Sequence, residues 1–156
     1  MTDPFGTSRR DFLKASAAVG GALTTGLGFV PSVHAAGSDT IKVGLIGCGG
    51  RGNGAADNIL EAAGTTYNIK MYAFGDVFKE RAQGARDNAK KKYADKVDVS
   101  DDRIFGGFDA FEKVIACCDL ILLATPPGFR PQHLEAAVKA GKNIFTEKPV
   151  GVDGPG

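Results

Sequence analysis

This chain has little of the material from which covalent or metal-held frameworks are built. It holds three cysteines, Cys48, Cys117 and Cys118, two of them adjacent, and that spacing describes no disulfide framework. There is no C-x-x-C, and the two histidines, His34 and His133, stand far apart, which argues against a structural zinc site. An excess of charge of one sign is lacking too. The formal net charge is +1, so the basic field that nucleic acid demands is missing and no nucleic-acid partner is expected. No internal repeat or low-complexity tract follows the first 35 residues. With 43% apolar and 24% charged residues, the composition is that of a soluble globular protein.

A further absence marks the amino terminus. From Ala15 to Ser38 there is no Lys, Arg, Asp or Glu, and the tract is rich in alanine and glycine. Ser8-Arg9-Arg10-Asp11-Phe12-Leu13-Lys14 precedes it. Val33-His34-Ala35 follows Pro31 and sets small residues at the −3 and −1 positions for cleavage after Ala35. Residues 1–35 resemble a twin-arginine export signal, with the export machinery as partner and a periplasmic or secreted destination. An uncleaved leader serving as a membrane anchor is the alternative, because the uncharged run is long enough to span. Its glycines, serines and threonines weaken that alternative. Twin-arginine export moves folded proteins, often with a cofactor already bound, and so suits an exported enzyme that needs a nucleotide.

The stretch Ile41 to Asn58 organises the rest. Ile41, Val43, Leu45 and Ile46 form an apolar, β-branched run that reads as a buried strand. Gly47, Gly49 and Gly52 follow as G-x-G-x-x-G and open a helix over Gly50–Ala63. In such an elbow the first glycine makes the tight turn, the second lets a pyrophosphate approach, and the third lets helix and strand pack. The helix start supplies free N–H groups and a dipole that favours phosphate charge. With 22 glycines in the chain the pattern alone is weak. Its setting strengthens it, for Asp76 lies 24 residues beyond Gly52, after a second strand over Asn68–Phe74. A carboxylate there accepts hydrogen bonds from the adenosine ribose and repels a 2′-phosphate, which favours NAD. Lys79 and Arg81 are near enough to leave NADP open. A cap for the next helix is the other role Asp76 could fill.

The remaining elements alternate. A helix is expected over Lys79–Tyr93, its outer face marked by Lys90-Lys91-Lys92, then an acidic loop over Val97–Arg103 and a short strand at Ile104-Phe105. Asp109 to Glu112 reads as a capping box opening a helix to Ala116. Leu120 to Ala124 has the continuous apolar character of a central parallel strand. Thr125-Pro126-Pro127-Gly128 then forms a rigid loop at its carboxyl end, where α/β sheets bind ligands. A helix over Gln132–Ala140 and a strand over Asn143–Thr146 lead to Glu147-Lys148-Pro149. The pattern predicts an α/β fold, a doubly wound parallel sheet of the Rossmann type.

GLIGCGGRG, GD after the second strand, LLATPP and FTEKPV together resemble the amino-terminal domain of the Gfo/Idh/MocA oxidoreductases over nearly all of residues 39–156. The resemblance implies several roles. Gly47, Cys48, Gly49, Gly50, Arg51 and Gly52 would line the pyrophosphate, and Asp76 would hold the ribose. Ala124, Thr125, Pro126 and Pro127 would touch the dinucleotide, with His133 near that loop. Glu147 would meet the nicotinamide ribose. Lys148 would be catalytic, orienting a sugar or polyol and assisting proton transfer, with Pro149 fixing its approach through a cis peptide. The implied cofactor is NAD or NADP.

The organisation expected is a leader over 1–35, a dinucleotide-binding domain over 39–150, and at 151–156 the start of a second α/β domain that the family carries and this sequence lacks. In the family that domain completes the substrate site and the homo-oligomer interface, so the chain alone would bind cofactor without turnover. Three functions compete: a sugar or polyol dehydrogenase, an NAD-dependent glycoside hydrolase of the same family, and a non-catalytic dinucleotide-binding remnant.

Overall fold

A computed structural model describes residues 39–156, so the leader and its cleavage site lie outside the described residues. Five strands form one parallel sheet: β1 (Ile41–Ile46), β2 (Ile69–Asp76), β3 (Ile104–Gly106), β4 (Leu120–Leu123) and β5 (Asn143–Thr146). Their order is β3-β2-β1-β4-β5. The chain therefore winds outward from β1 to one edge, then returns beside β1 and winds to the other. Four helices make the crossovers: α1 (Gly50–Ala63), α2 (Lys79–Lys92), α3 (Ala110–Cys117) and α4 (Arg130–Lys139). This is the doubly wound Rossmann arrangement that the alternating pattern predicts.

Alternation along the strands builds a core on each face. Val43, Leu45, Met71, Phe74 and Leu122 meet Leu60 of α1 and Ala82, Ala85 and Ala89 of α2. Ile46, Ala73, Ile121 and Leu123 meet Phe111, Val114 and Ile115 of α3 and Ala137 of α4. A register shift between Val43 and Gly44 leaves Tyr72 as the extra residue of β2, so Ala73 and Phe74 each reach the correct face. The small residue at Gly44 lets α3 lie close, since a Cβ there would stand 2.4 Å from the Val114 side chain.

Several sequence expectations are corrected. Strand β2 runs through Gly75 and Asp76, because pairing to β1 on one side and β3 on the other carries the ladder past a turn-like dipeptide. Helix α2 stops one residue short of Tyr93. The segment read as an acidic loop contains a bridge from Val97 to Met71, with Val97 and Val99 buried in the core. A short 3-10 turn at Ala94–Lys96 precedes it, and another at Asp101–Arg103 forms its end. The capping box at Asp109 does not form. Asp109 takes helical dihedrals and makes no side-chain cap bond, and its carboxylate instead pairs with Lys113 at 2.7 Å. Helix α4 begins at Arg130, two residues early, with Pro131 in its first turn, where a missing N–H costs nothing.

Candidate functional site

The order of winding fixes where a ligand can lie. Strands β1 and β4 are neighbours whose following connections leave in opposite directions, and a crevice opens beyond their carboxyl ends. On the β1 side stands the glycine elbow. Gly47 has φ +93°, and a Cβ there would press into the Ala124 carbonyl carbon and the Thr125 nitrogen, both at 2.7 Å. A Cβ on Gly52 would stand 1.9 Å from the Gly47 carbonyl oxygen, so only glycine at 52 lets the start of α1 pack this closely on the turn after β1. Gly49 differs. A Cβ there would meet nothing within 4 Å, so nothing in the described fold itself demands glycine. Helix α1 starts from Gly49 with no side-chain cap and no acidic residue in its first turn. Its N–H groups are thus left for an outside anion.

Asp76 stands beside this elbow. One carboxylate oxygen accepts from the Cys48 N–H at 2.8 Å and the other from the Phe78 N–H at 3.0 Å. The two roles considered for it separate here: α2 is entered through Phe78, and Asp76 braces the turn before it while joined to the glycine loop. Cys48 is buried, its thiol against the Gly75 carbonyl at 3.4 Å. Burial first, then the Asp76 charge, pushes that thiol far up, which leaves it a packing group and not a nucleophile. Gly50 opens α1 and is exposed.

The opposite wall comes from β4 and β5. Ala124, Thr125, Pro126 and Pro127 line a crevice of about 300 Å³ together with Gly47, Gly49, Asp76, Glu147 and Lys148. Arg51 reaches across from α1 and forms an ion pair with Glu147, which holds that carboxyl below the usual carboxylate range. Lys148 is exposed, and the Lys148–Pro149 peptide is cis. An apolar cavity of about 390 Å³ adjoins on the far side of Asp76, walled by Phe78, Phe108, Phe111, Phe129 and His133. His133 stacks on Phe111 with ring centroids 4.2 Å apart, and its Nδ1 lies 3.3 Å from the Thr125 hydroxyl. Burial holds its imidazole pKa down, so it is neutral at neutral pH and serves as a wall.

The candidate site residues read from the sequence line this crevice or its adjoining cavity, except Cys48 and Gly52, which pack the glycine loop, and Gly50, which is exposed at the start of α1. Sequence reasoning missed Arg130. It is buried, with 3% of its surface exposed, and donates to the carbonyls of Thr125, Glu147 and Pro149. The signal in the sequence is an arginine between a Pro-Pro-Gly loop and a helix-opening proline.

Residues 41–153 match the family model for the oxidoreductase family with an NAD-binding Rossmann fold, Gfo/Idh/MocA. The chain belongs to this family. Residues 6–26 match the signal sequence of the twin-arginine translocation pathway. This Gfo/Idh/MocA chain is 30% identical over 152 residues to a glycosyl hydrolase family 109 protein of Solibacter usitatus, covering 92% of this chain and 33% of that one. Apo scyllo-inositol dehydrogenase from Lactobacillus casei superposes with a TM-score of 0.54 at 32% identity, over 74% of this chain and 30% of that chain. The same enzyme with bound NAD(H) and scyllo-inositol gives 0.53 at 32% identity, over 73% and 29%. The chain therefore spans about a third of the length of the curated relatives it matches. Among the described residues no helix is long and apolar enough to cross a membrane.

Proposed function

We propose that residues 39–150 bind NAD for an exported oxidoreductase that moves hydride at a carbinol carbon of a sugar or polyol. Gly49 carries the proposal. It sits at an uncapped helix start, beside a carboxylate, with open space where a side chain would be. That is a cradle a Cβ would partly fill, and it fits a diphosphate on the N–H groups of α1. Asp76 keeps acceptor capacity beyond its two backbone donors and takes the adenosine ribose, while its charge disfavours a 2′-phosphate. The apolar cavity beyond it takes the adenine ring.

At the other end, Glu147 orients the nicotinamide ribose, and Lys148 binds the substrate hydroxyl and passes its proton as the carbonyl forms. The bound nicotinamide supplies the hydride chemistry itself. Arg51 braces the pyrophosphate side and holds Glu147 in place. A periplasmic or secreted destination follows from the leader, and a homo-oligomer is the state proposed for the whole protein.

Titration of the purified chain with NADH, followed by nucleotide fluorescence, tests the binding assignment. Asp76→Ala is expected to weaken NADH binding about tenfold, since hydrogen bonds to a charged group contribute about 1.5–3 kcal/mol. An unchanged affinity would remove the ribose assignment. A second reading is an NAD-dependent glycoside hydrolase, favoured by the relationship to the family 109 protein. It uses the same crevice. Release of a glycosyl leaving group without net NADH would select it, and net NADH formed from a sugar would select the dehydrogenase.

A further inference from the structure

Arg130 breaks three local rules at once. It is a cation held 3% exposed, and the three acceptors of its bonded guanidinium nitrogens are peptide carbonyls, none a carboxylate. Its Nε–H is buried without an acceptor among the described residues. It also opens α4, so its charge stands at the positive end of the helix dipole. The Glu147 carboxylate feels this charge from nearby without bonding to it, and a buried cation with no bonded anion is destabilising, an arrangement retained where it serves a site.

What the guanidinium joins identifies that service. Nη2 holds the Thr125 carbonyl in the loop after β4. Nη1 holds the Glu147 carbonyl at 2.7 Å and also the Pro149 carbonyl, which brackets Lys148 on both sides. The planar fork of an arginine can span these acceptors, and the single ammonium of a lysine cannot. Arg130 itself lines the crevice with Glu147 and Lys148.

We infer that Arg130 is a positioning residue of the crevice: it locks the loop after β4 to the peptide on each side of Lys148, and so sets where the Lys148 amine and the Glu147 carboxylate stand against the nicotinamide half of a dinucleotide. The inference rests on the nucleotide reading above. The glycine elbow and Asp76, which serve the adenosine and phosphate half, hang from β1 and β2 and make no bond to Arg130.

The test compares NADH with AMP on the full 156-residue chain and its Arg130→Lys and Arg130→Gln variants. Melting temperature is measured alongside. Both variants are expected to lose NADH affinity about tenfold or more while AMP affinity stays within about twofold, a split that a general loss of structure would not produce. Equal losses for both ligands with a lowered melting temperature would make Arg130 merely structural and overturn the inference. Unchanged NADH affinity would overturn it as well. A wild-type chain that binds neither ligand defeats the nucleotide reading, a different failure visible before any variant is made. If neither variant folds, site-mapped acetylation of the wild-type chain decides. NADH, and not AMP, should protect Lys148, and equal protection by the two would overturn the assignment.

Discussion

Arg51 and Glu147 reach across the crevice from α1 and the end of β5 and neutralise each other. Arg51, through its hydrogen bond and charge, lowers the Glu147 pKa. A depressed carboxyl adds stability that is present above its unfolded value, about 4.3, and is lost only as pH falls through the lower folded value. The small difference in melting temperature between wild type and Glu147→Gln should therefore persist as pH drops through about 4.3 and close only below it. A difference that closes near pH 6 would contradict the ion pair. Salt should shrink the effect, since Arg51 is mostly exposed. The cysteines divide just as sharply. Cys118, then Arg103 and Lys142, hold the half-buried Cys117 thiol down to about 7, whereas contact with Cys117 and burial push Cys118 far up. Near neutral pH, iodoacetamide should label Cys117 first in the folded chain, with Cys48 and Cys118 protected. Peptide mapping that finds all three labelled alike would refute this.

At the scale of elements, the junction of β1 with α1 separates what the fold requires from what a ligand requires. Gly52→Ala drives a methyl into the Gly47 carbonyl and should destabilise the domain by about 1–3 kcal/mol, visible as a lowered melting temperature. Gly49→Ala meets no protein atom and should change stability by less than about 1 kcal/mol, the scale of an altered cap. It should nonetheless weaken NADH binding, because its methyl points into the space assigned to the diphosphate. If both variants melt alike and bind alike, the cradle is wrongly placed. Elements with strong periodicity or a continuous apolar run were legible in the sequence, and β1, α1 and β5 fall at their expected residues. Failures came where a distant partner outweighed a local signal. Pairing on both sides extended β2 through Gly75, and a bridge to Met71 drew Val97 into the core. At Asp109, Lys113 took the carboxylate that local rules assigned to a cap.

For the molecule as a whole, the leader and the domain answer to different physics. The twin-arginine match over residues 6–26 depends on an arginine pair read by a transport receptor, while the domain depends on burial across a sheet. Replacing Arg9 and Arg10 together by lysine should stop export and leave the protein in the cytoplasmic fraction, with NADH binding unchanged. Export of the double variant at the wild-type level would count against the leader. The strand order makes the crevice a property of the whole sheet, since its two walls come from segments about 50 to 100 residues apart, Gly47 to Asp76 on one side and Thr125 to Lys148 on the other.

The amino-acid sequence by itself determined the family, the doubly wound fold and most residues of the crevice. Those features are carried by local patterns: glycine spacing, apolar period, and short motifs at strand ends. Tertiary structure alone decided who bonds to whom. It placed the Cys48 N–H on Asp76, turned Arg51 to Glu147, stacked His133 on Phe111, and bonded the buried Arg130 to the carbonyls on either side of Lys148. Such pairings depend on which strands become neighbours, and a one-dimensional pattern does not encode the distance between residues that only folding brings together.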